Sequence, residues 1–207
     1  MLKTVAQLVA EQPKYADLTS RFSFIEHSWF QNADIMTMLM TRLKPRSVLE
    51  IGSWMGASAR FMANFPFVEK VVCVDHWDRT RVENWAPGAH PEEWMDHMYE
   101  HFLANTIHAG LQNKICPVRM DSVQGAKFLT DGSYAFDMIY IDGAHVTAWV
   151  KADLRNYLPL MKRGGLFCGD DWTHAAEPED VRGAVIEHTR QIGCGVLDYG
   201  NFWWYHF

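Results

Sequence analysis

The stretch that decides the fold is SVLEIGSWMGAS, residues 47–58. It begins as a short apolar run typical of a buried strand, passes Gly52 and Gly56, and continues into a segment that favours a helix. Glycine allows backbone amides to approach a ligand that a Cβ would exclude, and the helix that follows points its positive N-terminal end at the same place. The stretch therefore predicts a strand, a glycine turn and a helix that together hold a nucleotide cofactor.

The spacing of the two glycines narrows the choice of cofactor. A dinucleotide fingerprint would be G-x-G-x-x-G, whereas here three residues separate Gly52 from Gly56, and Glu50 precedes the first glycine by two residues. The pattern E-x-G-x-x-x-G resembles motif I of the class I S-adenosylmethionine (SAM)-dependent methyltransferases. That resemblance implies that Glu50 and the loop hold the methionine end of SAM. A NAD-type Rossmann oxidoreductase is the first alternative, and the missing central glycine speaks against it.

Composition limits the class of protein. The 207 residues, 48% hydrophobic and 21% charged, suit one α/β core, so we predict a single domain over 1–207. A net charge of −6 and the absence of any lysine or arginine run argue against a nucleic-acid partner. No signal-peptide-like or membrane-spanning window occurs, and the four cysteines lie far apart without a C-x-x-C pair. We therefore expect a soluble cytoplasmic protein without a membrane partner.

Apolar runs alternate with helical segments along the rest of the chain. This alternation predicts an α/β, Rossmann-like fold with a seven-stranded, mostly parallel sheet and helices on both faces. Strands are predicted at Ser47–Ile51, Lys70–Asp75, Ile115–Met120, Met138–Asp142, Gly165–Asp170, near Val196–Tyr199, and at Phe202–Phe207. Helices are predicted at Asn32–Leu43, Ala57–Asn64, Pro91–Ala109, Ser122–Thr130, Thr147–Leu158 and Asp180–Ile192. Pro117 favours an edge position for the third strand, because proline cannot donate a ladder hydrogen bond.

Aspartates end three of these strands. Asp75, Asp142 and Asp170 each terminate an apolar run, and open α/β sheets bind ligands outside the carboxyl ends of their strands. Asp75 lies 23 residues after Gly52, where a carboxylate can accept hydrogen bonds from both ribose hydroxyls of an adenosine. A solvated or capping aspartate is the alternative for this position.

The carboxyl ends of the fourth and fifth predicted strands carry the largest number of acidic residues. They would be neighbours about 5 Å apart, so Asp142, Asp170 and Asp171 can converge on one point. Three converging carboxylates would raise one another's pKa unless a divalent cation were present, and an all-oxygen ligand set favours Mg²⁺ over zinc. In the alternative interpretation, Asp171 caps the next turn and Asp170 faces water.

His145, three residues after Asp142, is the best candidate for a general base. Its imidazole can take a proton near neutral pH, and an adjoining metal would acidify a coordinated hydroxyl. A capping or surface histidine is the alternative. His174 lies on the same side of the predicted sheet and is the rival candidate, either supporting the metal or touching the substrate.

Several motifs together resemble one family. They lie at 49–52, 74–75, 120–122, 141–145, 169–171 and 180–185. Over about residues 45–190 the chain is similar to the Mg²⁺-dependent macrocin- and mycinamicin-type sugar O-methyltransferases and to the CmcI-like proteins. In these enzymes the D-x-x-H step supplies a metal ligand and the base, and the acidic pair after the fifth strand completes the metal site. The resemblance also implies that Asp121 takes the adenine amino group and that the backbone of Ser122 reads the ring, although either residue could be a helix N-cap instead.

The predicted function is therefore SAM-dependent methyl transfer to a hydroxyl of a small acceptor, a sugar moiety or a natural product, with Mg²⁺ assistance and a histidine base. The predicted catalytic residue is His145. The predicted metal ligands are Asp142, Asp170 and Asp171. The predicted cofactor-binding residues are Glu50, Gly52, Ser53, Trp54, Gly56, Ser58, Asp75, His76, Asp121, Ser122 and Asp142. A non-catalytic SAM-binding module is the second alternative. The chain lacks the large N-terminal domain of some relatives, so their substrate-binding residues cannot be transferred.

Two segments stand outside the alternating pattern. Residues 1–44 are predicted as an N-terminal helical segment, whose first thirty residues we expect to pack across the site or against a partner subunit in a homo-oligomer. Residues 76–104 are predicted as a lid-like insertion over an apolar acceptor, with Trp77 and Trp85 in contact with it. Four apolar residues of the insertion have helical spacing and are expected in the core: Trp94, Met95, Met98 and Phe102.

Overall fold

One seven-stranded sheet forms the centre of the protein. The computed structural model describes residues 1–26, 30–81, 91–173 and 181–207. The strands are β1 (Ser47–Ile51), β2 (Lys70–Asp75), β3 (Ile115–Arg119), β4 (Phe136–Ile141), β5 (Met161–Gly169), β6 (Leu197–Tyr199) and β7 (Phe202–His206). Their spatial order is β3-β2-β1-β4-β5-β7-β6, and β7 runs antiparallel to both of its neighbours while the other pairs are parallel. The predicted α/β fold with a mostly parallel sheet is confirmed.

Helices cover both faces of this sheet. In the described residues they are α1 (Val5–Glu11), α2 (Leu18–Arg21), α3 (Ala33–Leu43), α4 (Ala57–Ala63), α5 (Glu92–Asp96), α6 (Met98–His108), α7 (Ser122–Asp131), α8 (Thr147–Tyr157) and α9 (Val181–Gln191). One apolar core lies between the sheet and helices α1 to α6, and a second lies between the sheet and α7, α8 and α9. None of the helices in the described ranges is long and apolar enough to cross a bilayer.

The central strands are apolar because both of their faces are covered. Val48 of β1 packs in the first core, and Leu49 and Ile51 pack in the second. This double burial is why these strands are mainly apolar in the sequence, with the buried Glu50 as the exception in β1. Pro117 lies in β3, which forms one margin of the sheet, as the proline predicts.

The structure departs from the predicted elements in two places. Strand β5 begins at Met161, four residues before the predicted start at Gly165, because Lys162, Arg163 and Gly164 extend the strand as a polar tip. The helix predicted over Pro91–Ala109 is interrupted at His97, whose backbone (φ −126°, ψ 30°) is not helical.

Part of the segment predicted as a lid belongs to the core. Trp77 is 3% exposed, and its ring packs on Tyr99 and Phe102 with centroid distances of 5.0 and 4.7 Å. Its indole Nε1 donates to the carbonyl of Trp54 at 2.7 Å. The prediction that Trp77 contacts the acceptor is therefore wrong, because the indole finds both an apolar pocket and an acceptor oxygen inside the protein. Trp85 lies outside the described residues.

Met95, Met98 and Phe102 are buried, as their spacing predicts, whereas Trp94 is only half-buried. The N-terminal residues lie against the same helix, α6. The amide of Ile25 donates to Asn105 Oδ1 at 2.9 Å. Residues 1–26 line no part of the cavity at the strand ends, whereas Phe30 lines it. Packing of the segment across the site or against a partner subunit stays a prediction.

Candidate active site

A large cavity lies at the carboxyl ends of the parallel strands. Its volume is about 1380 Å³, and its walls are the loops after β1 to β5, the start of α3 and the turn between β6 and β7. A pocket for one small ligand typically measures about 300–1,000 Å³, so this cavity has room for two ligands side by side. Most predicted site residues line it: Gly52, Ser53, Trp54, Ser58, Asp75, His76, Asp121, Ser122, Asp142, His145, Asp170 and Asp171. Glu50 and Gly56 do not.

The two glycines of the first loop are required by packing inside the protein. Both have positive φ angles, +84° at Gly52 and +79° at Gly56. A Cβ on Gly52 would lie 2.0 Å from the carbonyl oxygen of Asp142, and a Cβ on Gly56 would lie 2.9 Å from the ring of Phe102. The loop is thus pressed against the end of β4 on one side and against α6 on the other. Close approach of a ligand, which the sequence suggested as the reason for both glycines, is not the reason at Gly56.

Asp75 holds the glycine loop in place. One carboxylate oxygen accepts from the amides of Ser53 and Trp54 at 3.0 and 2.9 Å, and the other accepts from the amide of Trp77 at 2.8 Å. A carboxylate has about four lone-pair positions, so three of them are in use. The next residue, His76, accepts from a backbone amide at 2.9 Å and lies 3.9 Å from Asp75. Asp75 is therefore an organiser of the loop, and contact with a ribose stays a prediction.

Glu50 contacts the glycine loop from the interior of the protein. Its side chain is fully buried, and one carboxylate oxygen accepts from the hydroxyl of Ser58 at the start of α4. The other oxygen has no hydrogen-bond partner in the described part of the chain. Burial raises the pKa of Glu50 to about 7. Glu50 does not line the cavity, so a direct contact with the cofactor stays a prediction.

Asp121 is the N-cap of α7. Its Oδ1 accepts from the amide of Gln124 at 2.9 Å, and its other oxygen faces the guanidinium of Arg81 at 3.6 Å. The carbonyl of Ser122 accepts from the hydroxyl of Tyr157 at 2.6 Å. The capping role that the sequence left open for Asp121 is thus present, and its carboxylate still borders the cavity.

Three carboxylates meet at the ends of β4 and β5. Burial, together with repulsion from Asp170 and Asp171, raises the pKa of Asp142 well above its usual range, although the hydroxyl of Tyr140 donates to it at 3.1 Å. Burial likewise raises the pKa of Asp170. The negative charges are therefore close enough to oppose one another's ionisation.

The carboxylates of Asp170 and Asp171 both have partners within the protein. Asp171 adopts a left-handed backbone (φ +63°), which brings its Oδ2 to 2.8 Å from Nε2 of His145. Oδ1 of Asp170 accepts from the amide of Asp171 at 2.7 Å and from the side chain of Asn201 at 2.8 Å. The described residues contain no group of three histidine, cysteine or acidic side chains arranged to hold a metal ion. The predicted metal ligands are neighbours, and each has one carboxylate oxygen in contact with a protein partner, so their binding of a metal stays a prediction.

Several cavity residues escaped the sequence analysis, namely Asn32, Asp34, Trp149, Asp153 and Asn201. Asn201 follows Gly200 in the turn between β6 and β7, and the apolar runs on either side of it gave no sign of its contact with Asp170. Asp153 is a lone carboxylate on the buried face of α8, where burial raises its pKa to about 6. The rival base, His174, lies outside the described residues.

Comparisons with known proteins bear on the family and on the fold. Residues 49–172 match the family described as a methyltransferase domain. The uncharacterized protein y4gI of Sinorhizobium fredii is 23% identical over 190 residues, which cover 86% of this chain; the chain spans 20% of that relative's length.

Solved structures share the fold. An O-methyltransferase from Bacillus cereus in complex with SAH is 14% identical, with a TM-score of 0.62 and coverage of 97% of this chain and 96% of that one. MycE from the mycinamycin biosynthetic pathway, solved with Mg, SAH and mycinamycin VI, is 19% identical, with a TM-score of 0.58 and coverage of 94% and 54%. At these identities the likeness establishes the architecture alone.

Proposed function

The chain belongs to the methyltransferase-domain family, and from that premise we propose that it is an O-methyltransferase that methylates a hydroxyl of a small acceptor, such as a sugar moiety or another natural product. The family match and the class I fold identify a SAM-dependent methyltransferase. The observation that carries the finer proposal is the pairing of His145 with Asp171 at 2.8 Å, inside a cavity with room for a cofactor and an acceptor.

We assign the two ligands to two parts of the cavity. The cofactor half is lined by the glycine loop (52–58), by Asp75 and His76, and by Asp121 and Ser122. The acceptor half is lined by Asp34, by the loop from Asp142 to Trp149, by Asp170 and Asp171, and by the turn from Tyr199 to Asn201.

SAM supplies an already activated methyl group when it is bound. The chain then has to align the two ligands, exclude water and remove one proton. Asp75 keeps the amides of Ser53 and Trp54 fixed and retains one lone-pair position for a ribose hydroxyl. We propose the same ligand contact for Asp121, which can accept from an adenine amino group beside its capping bond.

His145 is the proposed general base. With Nε2–H donating to Oδ2 of Asp171, the lone pair that can take the hydroxyl proton is on Nδ1. Asp171 thereby fixes the tautomer and the orientation of the ring. It also stabilises the imidazolium that forms when the proton moves, because its charge is opposite.

Magnesium assistance belongs to the proposal. The oxygen-only donor set of Asp142, Asp170 and Asp171 suits Mg²⁺. Burial raises the pKa of Asp142, and repulsion from Asp170 and Asp171 raises it further, a repulsion that a bound divalent cation would relieve. These three residues, which are neighbours but are not arranged as a ligand group in the structure, would hold the ion, and the ion would acidify the acceptor hydroxyl when bound. The Mg-bound structure of MycE, which shares the fold, supports this assignment.

The test is a methyl-transfer assay with SAM over a panel of glycosides and catechols, with SAM binding followed by calorimetry. We expect SAH to form with at least one acceptor, and chelation with EDTA to abolish turnover while SAM binding persists. Full activity in EDTA would contradict the magnesium part alone. SAM binding without transfer to any acceptor would favour the non-catalytic SAM-binding module, and binding of NADH in place of SAM would favour the oxidoreductase.

A further inference from the structure

We propose that the acceptor half selects hydroxylated ring compounds that are cationic or neutral and rejects carboxylated or phosphorylated acceptors, including coenzyme A thioesters. This inference rests on the proposed function and names the substrate class of that same site. It follows from the charge and the exposed aromatic side chains of the acceptor half.

The acceptor half is lined by carboxylates, and its described lining contains no lysine or arginine. Four aspartates line it: Asp34, Asp142, Asp170 and Asp171. Among the described lining residues the one arginine is Arg81, which borders the cofactor half and faces Asp121 at 3.6 Å, and lysine is absent from that described lining. An anionic acceptor would therefore meet negative charge where it needs a cation.

Residues outside the described ranges include no lysine or arginine. This holds for all three segments, 27–29, 82–90 and 174–180. A divalent ion bound among the carboxylates would offset two of the four negative charges. The acceptor half would thus still offer no net positive charge to a carboxylate or phosphate.

Asp34 is the carboxylate best placed to act on the acceptor itself. It lies in the first turn of α3 with an exposed side chain, and it forms no ion pair with the residues that the structure describes. Asn32, two residues earlier, lies against Asp170, so the start of α3 borders the acid cluster directly. An ammonium group on an acceptor could pair with Asp34 while the acceptor hydroxyl faces His145.

Two aromatic side chains complete the acceptor half. Trp149 is 49% exposed and Tyr199 is 65% exposed, and both line the cavity. An exposed indole or phenol beside carboxylates presents a ring face that stacks on planar rings or sugar faces and attracts cations. Aromatic surface next to negative charge is the combination that binds cationic or neutral rings.

The experiment compares three catechols that share the reacting group and differ in charge: dopamine (cation), 4-methylcatechol (neutral) and 3,4-dihydroxybenzoate (anion). Binding to the SAH-loaded protein with Mg²⁺ is measured by calorimetry at millimolar ligand, with caffeoyl-CoA as a second anion. We expect dopamine and 4-methylcatechol to bind at least about tenfold more tightly than either anion, a difference of about 1.4 kcal/mol. Equal or tighter binding of an anion overturns the inference, and so does failure of all three catechols to bind. Binding is measured without turnover. A result that overturns the inference on acceptor charge is therefore distinct from the absence of methyl transfer, which would contradict the proposed function.

A matched pair of variants assigns the selectivity. Asp34→Asn should lower the preference for dopamine over 4-methylcatechol about fivefold, because it removes one carboxylate whose attraction for the ammonium group is partly screened by solvent. It should leave SAH binding unchanged. Asp198→Asn, which removes an exposed carboxylate of β6 that does not line the cavity, is the control and should leave the preference intact. If the two variants behave alike, Asp34 interacts only with the N-terminus of α3 and its proposed role is refuted. Trp149→Leu should weaken binding of all three catechols.

Discussion

The two halves of the cavity are built in opposite ways. In the cofactor half, hydrogen bonds within the protein hold the loop: Asp75 alone fixes three backbone amides. In the acceptor half, the pKa of Asp142 and that of Asp170 are raised by burial and by neighbouring negative charge, and Trp149 and Tyr199 remain exposed. The first half is organised before any ligand arrives, whereas the second keeps charge and apolar surface that a ligand would relieve. The residues that hold the loop in shape thus lie in one half of the cavity, and the residues proposed to carry out the reaction lie in the other.

The largest expected effect is on the chemical step in the acceptor half. His145→Ala should lower the maximal rate by roughly 10²–10⁴, which corresponds to about 3–5 kcal/mol of transition-state stabilisation, because the acceptor hydroxyl loses its base. SAM affinity and the unfolding midpoint should stay within error, since the cofactor half is untouched.

Steady-state kinetics and calorimetry on the variant check this prediction, with His206→Ala on the exposed end of β7 as the control. An unchanged rate would move the role of the base to His174.

The next effect concerns the pH dependence of stability, which the buried carboxyl of Glu50 next to the glycine loop should cause. The folded-state pKa of Glu50 is about 7, above the ordinary value of 4.5. A raised carboxyl pKa contributes stability that is fully present below pH 4.5 and is lost as the pH rises through 7. The loss amounts to on the order of 3 kcal/mol once both states are ionised.

Glu50→Gln should therefore flatten the decline in unfolding free energy between pH 5 and pH 8, measured by urea titration in the absence of ligands. Glu69→Gln, which removes an exposed carboxylate before β2, is the matched control. A decline as steep in Glu50→Gln as in the parent would show that the buried carboxylate is compensated in the folded protein.

A smaller effect is expected from the organiser of the glycine loop. Asp75→Ala should reduce the unfolding free energy by about 2 kcal/mol, because three backbone amides lose a charged acceptor. It should also raise the dissociation constant of SAM. Asp78→Ala, whose carboxylate accepts from Thr80 and from no other donor within the described ranges, should cost less on both measures. Equal losses in the two variants would mean that the loop keeps its shape without Asp75.

The smallest effect is expected at the edge of the acceptor half. Asn201→Ala removes a donor at 2.8 Å from Asp170 and should cost about 1 kcal/mol of stability. Methyl transfer should slow while SAM binding is retained, because Asn201 borders only the acceptor half. Asn64→Ala, at the exposed end of α4, serves as the control. Weaker SAM binding in Asn201→Ala would show that the two halves are coupled.

The sequence predicted the fold well because its signals are local. Buried strands such as β1 and β2 are mainly apolar runs that end just before a glycine or at an aspartate, and their bounds follow directly. The break at His97 could not be seen, since the apolar spacing of Met95, Met98 and Phe102 continues across it. Trp77 was misplaced because an indole in a loop gives no sign of which partner it will meet.

The site was predictable only in part, for a related reason. Residues at strand ends, such as Asp142 and His145, were found because a parallel sheet brings those ends together. Contacts that depend on the path of the backbone were not predicted. The left-handed turn at Asp171 directs its carboxylate to His145, and Asn201 contacts Asp170, which is 31 residues away in the sequence. Such contacts depend on a three-dimensional path that a linear pattern does not contain.

The contact between Gly52 and the carbonyl of Asp142 has a consequence for how the enzyme can diversify. That junction leaves no room for even one methyl group, so the cofactor loop and the end of β4 can change only together. Asp34, Trp149 and Tyr199 come from three separate elements and touch no such junction. A library that randomises those three positions should therefore yield folded proteins with new acceptor preferences, whereas one that includes Gly52 should yield mostly unfolded chains.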